Sequence, residues 1–429
     1  MHSSPETLRT YTRLTALCIS LILAGCIVGI VVPAGPGWDF ANFYDTGRRV
    51  AAGQIQDIYH PDRLIRGAPP QGSMAFWGAP VSAWLYAPLS YVSPHWALVL
   101  FKIQNTLACY AALWLLYIHN RQFVDPTPMV QAKFAALFAF LSLLYQPLWT
   151  VYRVGGQTTP TTLLLFTLAL LSYTQRRWWM AMGALILATL IKPTLSIALL
   201  FLMLVSGGQC FGIALALLAG VSLLSLLTIG WSLHVEFLTV LLRGFRSSFP
   251  WFYNSSLYVP LENVRLLSEA GSSGALRDVV CGVIETSIKI GVLATFVYLM
   301  RQRRVLREAH RARRHFNFLM AVVCSLLLPQ TIWEHYLALL FVCLAYVVAS
   351  SQHFSREARL IIAGIFVLSL GQNLIVVNVL REYFRFDSLS LLLMVGLFKS
   401  GPLWLTLLLL WRHHKAWLHS YAAPQWVRA

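Results

Sequence analysis

Five short stretches hold the side chains that can do chemistry. Asp39 sits in Gly37-Trp38-Asp39-Phe40, at the mouth of an apolar run covering residues 12–33. A carboxylate at that boundary can take a proton from a hydroxyl arriving through water while it faces a group carried in lipid. Tyr152-Arg153 and Gly155-Gly156-Gln157 precede a later apolar run, and Lys192-Pro193 breaks another. Asn254-Ser255-Ser256-Leu257 lies in a polar stretch, and Trp333-Glu334-His335-Tyr336 stands at the end of a further run. Together they supply a base, cations and polar amides, which a site at a membrane face needs.

The elements that position these residues follow from composition. The chain has 429 residues, of which 58% are hydrophobic and 11% charged. A soluble chain carries about a quarter charged residues. Apolar runs near 20 residues recur throughout, each long enough to cross a bilayer as a helix. Lipid offers the backbone no hydrogen bonds, so helix is the natural spanning form, and the alternation of a membrane β-barrel is absent. The fold class is therefore an all-α integral membrane protein with about 11–12 spans, expected as one polytopic domain over 1–429 without a soluble catalytic domain.

The spans are expected near 12–33, 95–118, 132–149, 159–174, 211–231, 279–300, 316–334, 336–350, 359–380 and 388–411. Residues 76–92 form a Pro-interrupted apolar segment, at the interface or partly inserted. Residues 178–206 make one long helix or two short ones, and Lys192-Pro193 favours a break, because proline removes a helix hydrogen bond and restricts the residue before it. Two larger polar loops are expected, at 34–75 and 232–277.

The net charge of +17 suggests nucleic acid in a soluble protein. Here the cations gather between apolar runs and read as a topology signal. Arg9 and Arg13, Arg176 and Arg177, the cluster Arg301 to Arg314, Arg356 with Arg359, and Arg412 with Lys415 all fall on one predicted side. That side is cytoplasmic, with both termini, on the anionic lipid surface. The five chemical stretches and both polar loops then face the other way. The seven cysteines lie in or beside apolar runs with no Cys-x-x-Cys spacing, which argues against disulfides and a zinc site. The first apolar run lacks a clear small-residue cleavage site and reads as an uncleaved span.

At these residues the chain resembles glycosyltransferase family 87, polytopic mannosyltransferases of GT-C type that use polyprenol-phosphate sugars. The resemblance runs from Asp39-Phe40, Phe43-Tyr44, Gly47, Gly53 and Tyr59 through Pro80 and Pro88-Leu89. It continues in Gly156-Gln157, Lys192-Pro193, Asn254 with Ser256-Leu257, and Trp333-Glu334-His335. Four places depart from the family pattern. Ala79-Pro80 stands for a paired proline, and Thr159 for an asparagine after Gly-Gln. Ser255 stands for a glutamine, and Glu334-His335-Tyr336 for a pattern ending in two histidines.

The resemblance implies a GT-C-type bundle with loop helices on the extracytoplasmic face of a bacterial inner membrane. It also implies an inverting transfer of a hexose, mannose first, from a polyprenyl-phosphate donor to a lipid or glycan acceptor. Asp39 is then the catalytic base. Lys192 is the first choice for the departing phosphate, with Arg153 and His335 next. Gln157, Asn254, Ser256 and Glu334 are the candidate sugar or acceptor ligands, and Tyr44, Trp38 and Trp333 the aromatic faces. No cofactor is implied. The spacing of Asp39, Asp45, Glu334 and His335 specifies no metal site.

Simpler roles stand beside these. Asp39 also suits a helix N-cap, and the residues alone leave both readings open. Lys192 can snorkel to the interface, although a lysine between two apolar halves is costly without a task. Arg153 fits an interfacial anchor, and Glu334 with His335 fits a satisfied structural contact. Asp45, Arg48 and Arg49 read as a solvated helix face, and most Trp and Tyr residues as interface belts. A secondary transporter or lipid flippase is the alternative from another class, and the Lys192-Pro193 break suits it.

Overall fold

The computed structural model describes residues 5–32, 38–60, 76–149, 152, 156–246, 254–266, 274–306, 310–373 and 389–422. They form an all-α polytopic membrane protein. Among the described residues five helices are long and apolar enough to cross a membrane, at Pro5–Val31, Pro94–Arg121, Gly208–Ile229, Leu276–Gln302 and Leu393–Ala416. Each answers to an apolar run of the sequence. Arg153, Arg307 and residues 61–75 of the first polar loop lie outside the described residues. The seven cysteines are buried and free of disulfides.

Two compact units are formed. The first comprises Met1–His119, Pro126–Leu143 and Leu148–Gly244. Its helices are α1 (Pro5–Val31), α2 (Trp38–Ala51), α3 (Pro94–Arg121), α4 (Pro128–Leu144), α5 (Thr159–Thr174), α6 (Trp178–Ile191), α7 (Ser196–Val205), α8 (Gly208–Ile229) and α9 (Trp231–Arg246). The Pro-interrupted segment becomes a 3₁₀ helix, Pro80–Tyr91, with Pro88 inside it. Runs of that kind rarely pass four residues. This one persists because α2 packs along it.

Packing of α2 explains why a short polar helix stays fixed. Phe40 and Tyr44 on its buried face join Tyr59, Phe76, Tyr86 and Phe101 in one aromatic cluster. Phe43 stacks on Tyr86 at 4.7 Å, and Phe40 meets Phe101 at 5.5 Å. Such pairs contribute about 0.5–1.5 kcal/mol each beyond the area they bury. Gly47 lets the helix reach the 3₁₀ segment, since a Cβ there would lie 2.2 Å from the Tyr86 carbonyl oxygen. The Tyr44 hydroxyl donates to the Val92 carbonyl at 2.9 Å and pins the far end.

Two cations behave differently from the sequence reading or were absent from it. Arg48 is exposed, as a solvated face requires, but Arg49 is buried. Its Nε donates to Asp45 at 3.1 Å, and its Nη1 donates to the Asp57 carbonyl. The charge closes the turn after α2 instead of facing water. Lys102, in the middle of α3, is buried and donates to the carbonyls of Gly29 at 2.8 Å and Val32 at 3.3 Å. It caps the end of α1, where carbonyls have no intrahelical donor.

The second unit comprises Asn120–Asp125, Leu144–Pro147 and Phe245–Ala429. Its helices are α10 (Val259–Leu266), α11 (Gly274–Gln302), α12 (His310–Leu327), α13 (Leu340–Ala349), α14 (Arg356–Asn373) and α15 (Leu389–Ala422). Every residue of α13 is buried, the pattern of a helix surrounded by protein. The expected run at 316–334 stops as helix at Leu327, two residues before Pro329. The chain resumes as a 3₁₀ turn, Glu334–Leu339, that feeds α13.

Substituting Gly47→Ala is expected to destabilise the first unit by about 1–3 kcal/mol, the range for overpacking against immobile backbone. Thermal unfolding of the detergent-solubilised variant checks this, and an unchanged midpoint would remove the close approach as a constraint.

Candidate active site

In the first unit three of the candidate residues come together. Asp39 lies in the first turn of α2, half-buried, where the helix dipole favours a carboxylate. Gln157 follows Gly156, whose φ of +98° lies in the region that suits glycine. A Cβ on Gly156 would come within 2.4 Å of the Phe40 Cβ. The missing side chain thus lets the residue after Asp39 pack directly on the turn that carries Gln157.

Lys192 closes α6, and its N–H donates to the Ala188 carbonyl at 2.8 Å. Pro193 has no N–H to continue the helix, so the chain turns and Lys192 adopts φ −134° and ψ 89°. The 3₁₀ segment holds this corner, since the Ala79 N–H donates to the Leu190 carbonyl at 2.9 Å. The break expected at Lys192-Pro193 is therefore real, and it delivers a buried ammonium to Gln157.

The amide of Gln157 is used at both ends. Lys192 Nζ donates to its Oε1 at 3.3 Å. The Gln157 side chain also hydrogen-bonds Asp39. An ionised carboxylate only accepts, so the amide NH₂ faces Asp39 and the amide oxygen faces Lys192. Burial pushes the Asp39 carboxyl up to about 6, while the Lys192 charge and the Gln157 hydrogen bond pull it back down. A carboxylate held there is a stronger base than an exposed one, yet it is mostly ionised at neutral pH.

Tyr44 belongs to the aromatic core, with its hydroxyl bonded to Val92. Trp38 opens α2.

The other candidates belong to the second unit. Asn254 is fully buried and pairs with Trp333 in an isolated antiparallel bridge. Its Oδ1 accepts from the Ser256 N–H at 3.1 Å and the Ile332 N–H at 3.0 Å, and its Nδ2 donates to the Gln330 carbonyl at 3.3 Å. Ser256 Oγ donates to the same carbonyl at 2.6 Å. Asn254 and Ser256 thus clip their loop to the stretch 330–333. Gln330 in turn donates to Glu285, which also pairs with Arg265 at 3.1 Å.

Trp333 leads into the turn of Glu334 and His335, both buried. Glu334 forms an ion pair with Lys399 of α15 at 3.1 Å, and Lys399 is fully buried. Lys399 was not singled out from the sequence, where it lies in a run read as a plain span. The signal was present, because a lysine inside an apolar helix needs a partner. The His335 ring lies edge-on to that of Tyr336, 4.8 Å between centroids.

The sequence model of a family described as Glycosyltransferase family 87 matches residues 76–329. The matched stretch holds Gln157, Lys192, Asn254 and Ser256, and it leaves Asp39 and Trp333 to His335 outside. No curated protein matches the chain.

Lys399→Met is expected to leave Glu334 uncompensated in an apolar interior, at a cost of about 3–5 kcal/mol. Adding Glu334→Gln to that variant is expected to recover part of the loss. Melting temperatures of the single and double variants decide it, and a double variant no more stable than the single one would discount the pair.

Proposed function

The chain belongs to glycosyltransferase family 87 and is a membrane glycosyltransferase, and from that premise we propose that it transfers a hexose, mannose first, from a polyprenyl-phosphate donor. The acceptor is a lipid or glycan hydroxyl at the extracytoplasmic face of a bacterial inner membrane. The observation that carries this reading is the chain of contacts Lys192, Gln157, Asp39, which sets a base and a cation at opposite ends of one amide.

Asp39 takes the proton of the acceptor hydroxyl as its oxygen bonds to the anomeric carbon. The bond from that carbon to the phosphate oxygen breaks, and its electron pair stays on the phosphate. Polyprenyl monophosphate leaves from the opposite face, so the configuration inverts. Lys192 offers its charge to the oxygen that becomes anionic. Protonation of Asp39 also cancels the negative charge that offset Lys192, so the ammonium attracts phosphate most strongly as phosphate departs.

Depth and orientation support a lipid-linked donor. α6 has 14 residues and rises about 21 Å, short of a hydrocarbon core about 30 Å thick. Arg176 and Arg177 lie at the start of this helix and Lys192 at its end. With the arginines at the cytoplasmic interface, Lys192 comes to the depth where the phosphate of a prenyl lipid can meet it.

Asp39→Asn keeps the shape and removes the base. Transfer from a polyprenyl-phosphate hexose by purified protein is expected to fall by at least ~100-fold, and turnover equal to wild type would eliminate Asp39 from this role. Wild-type turnover is also expected to rise with pH through a midpoint near 6, because only the ionised carboxyl accepts a proton. Lys192→Met removes the charge that holds this carboxyl down, so the acid limb of the remaining activity is expected to move to higher pH. A limb that stays in place would separate Lys192 from Asp39.

A further inference from the structure

The start of α5 carries polar groups that the reading above leaves without work. Thr158 and Thr159 directly follow Gln157, and both are at least nine-tenths buried. Neither hydroxyl has a hydrogen-bond partner among the described residues. Thr158 occupies the N-cap of α5, where threonine usually gives its oxygen to a first-turn N–H, yet it makes no such bond. Thr194, two residues after Lys192, has a third buried hydroxyl oxygen without a partner. A buried hydroxyl left unbonded costs about 1–3 kcal/mol. Three of them beside Gln157 and Lys192 in sequence therefore call for an explanation.

The backbone repeats the pattern. The first N–H groups of a helix have no intrahelical acceptor. Pro160 has no N–H at all, which leaves those of Thr159 and Thr161 at the tip. α5 is 16 residues long, enough for its dipole to favour an anion at this end. Lys192 stands beside the same tip, 3.3 Å from the amide oxygen of Gln157.

We propose that the N-terminal tip of α5, with the hydroxyls of Thr158 and Thr159, is a phosphoryl-binding seat that completes the donor set begun by Lys192. The ligand class is a prenyl phosphate, first as the sugar-bearing diester and then as the monoester product. Two hydroxyls and two N–H groups donate to the non-bridging oxygens, and the ammonium supplies charge. The hydroxyls that find no partner among the described residues are those the phosphate satisfies. This inference rests on the polyprenyl-phosphate reading and extends it to residues that reading does not name.

The test uses full-length protein in nanodiscs and two readouts, direct binding of a short-chain prenyl monophosphate and transfer from its hexosyl diester. Thr158→Val and Thr159→Val keep shape and remove the hydroxyl, while Thr158→Ser and Thr159→Ser keep it. Each valine variant is expected to weaken prenyl phosphate binding roughly tenfold, the size of a lost hydrogen bond to a charged group. The donor KM is expected to rise with it, the acceptor KM to stay, and the serine variants to bind as wild type. Melting temperatures show that the variants are folded. Valine variants that bind as wild type, in a protein that still transfers the sugar, overturn the seat and leave the proposed function standing. Wild-type protein that neither binds prenyl phosphate nor transfers from it overturns both.

Discussion

A single amide holds opposite charges apart and in register. Gln157 donates to Asp39 and accepts from Lys192, and neither bond survives if the amide is turned over. Much of the first unit serves this arrangement. Gly156 brings Phe40 against the turn, the aromatic cluster under α2 fixes the helix that carries Asp39, and Pro193 ends α6 where Lys192 must stand. A glutamine at the centre presents a donor at one end and an acceptor at the other.

The second unit builds polar order by different means. There the clip of Asn254 and Ser256 on Gln330, the carboxylate of Glu285, and the pair of Glu334 with Lys399 tie loops to helices inside an apolar surround. Hydrogen bonds in such a medium are strong, and an unpaired group is correspondingly costly. The result is a non-helical stretch from Gln330 to Trp333 that is held on several sides.

Local features of the chain were legible. Run length placed the long helices, and proline chemistry placed the break at Lys192. Hydropathy also gave the polar character of the segment around Asp39. What escaped was whatever depends on a distant partner. Arg49 reads as a surface cation until Asp57 and the turn after α2 are in view. Lys102 and Lys399 read as blemishes in spans until α1 offers its terminal carbonyls and Glu334 its charge. Asn254 and Ser256 show the same limit, since their partner Gln330 is 74 residues or more away along the chain. Thr158 and Thr159 were hidden differently, because the sequence shows hydroxyls but not that they lack bonds.

The pairing of Glu334 with Lys399 bears on biogenesis. Glu334 leaves the ribosome 65 residues ahead of its partner. A buried charge without its partner is costly in an apolar interior, so the segment bearing Glu334 is incompletely satisfied until Lys399 is made. When α15 emerges it carries the matching cation, and the two can partition into lipid together as a neutral unit. The last long helix thereby completes the interior, since a chain truncated before Lys399 keeps a buried acidic group without this partner.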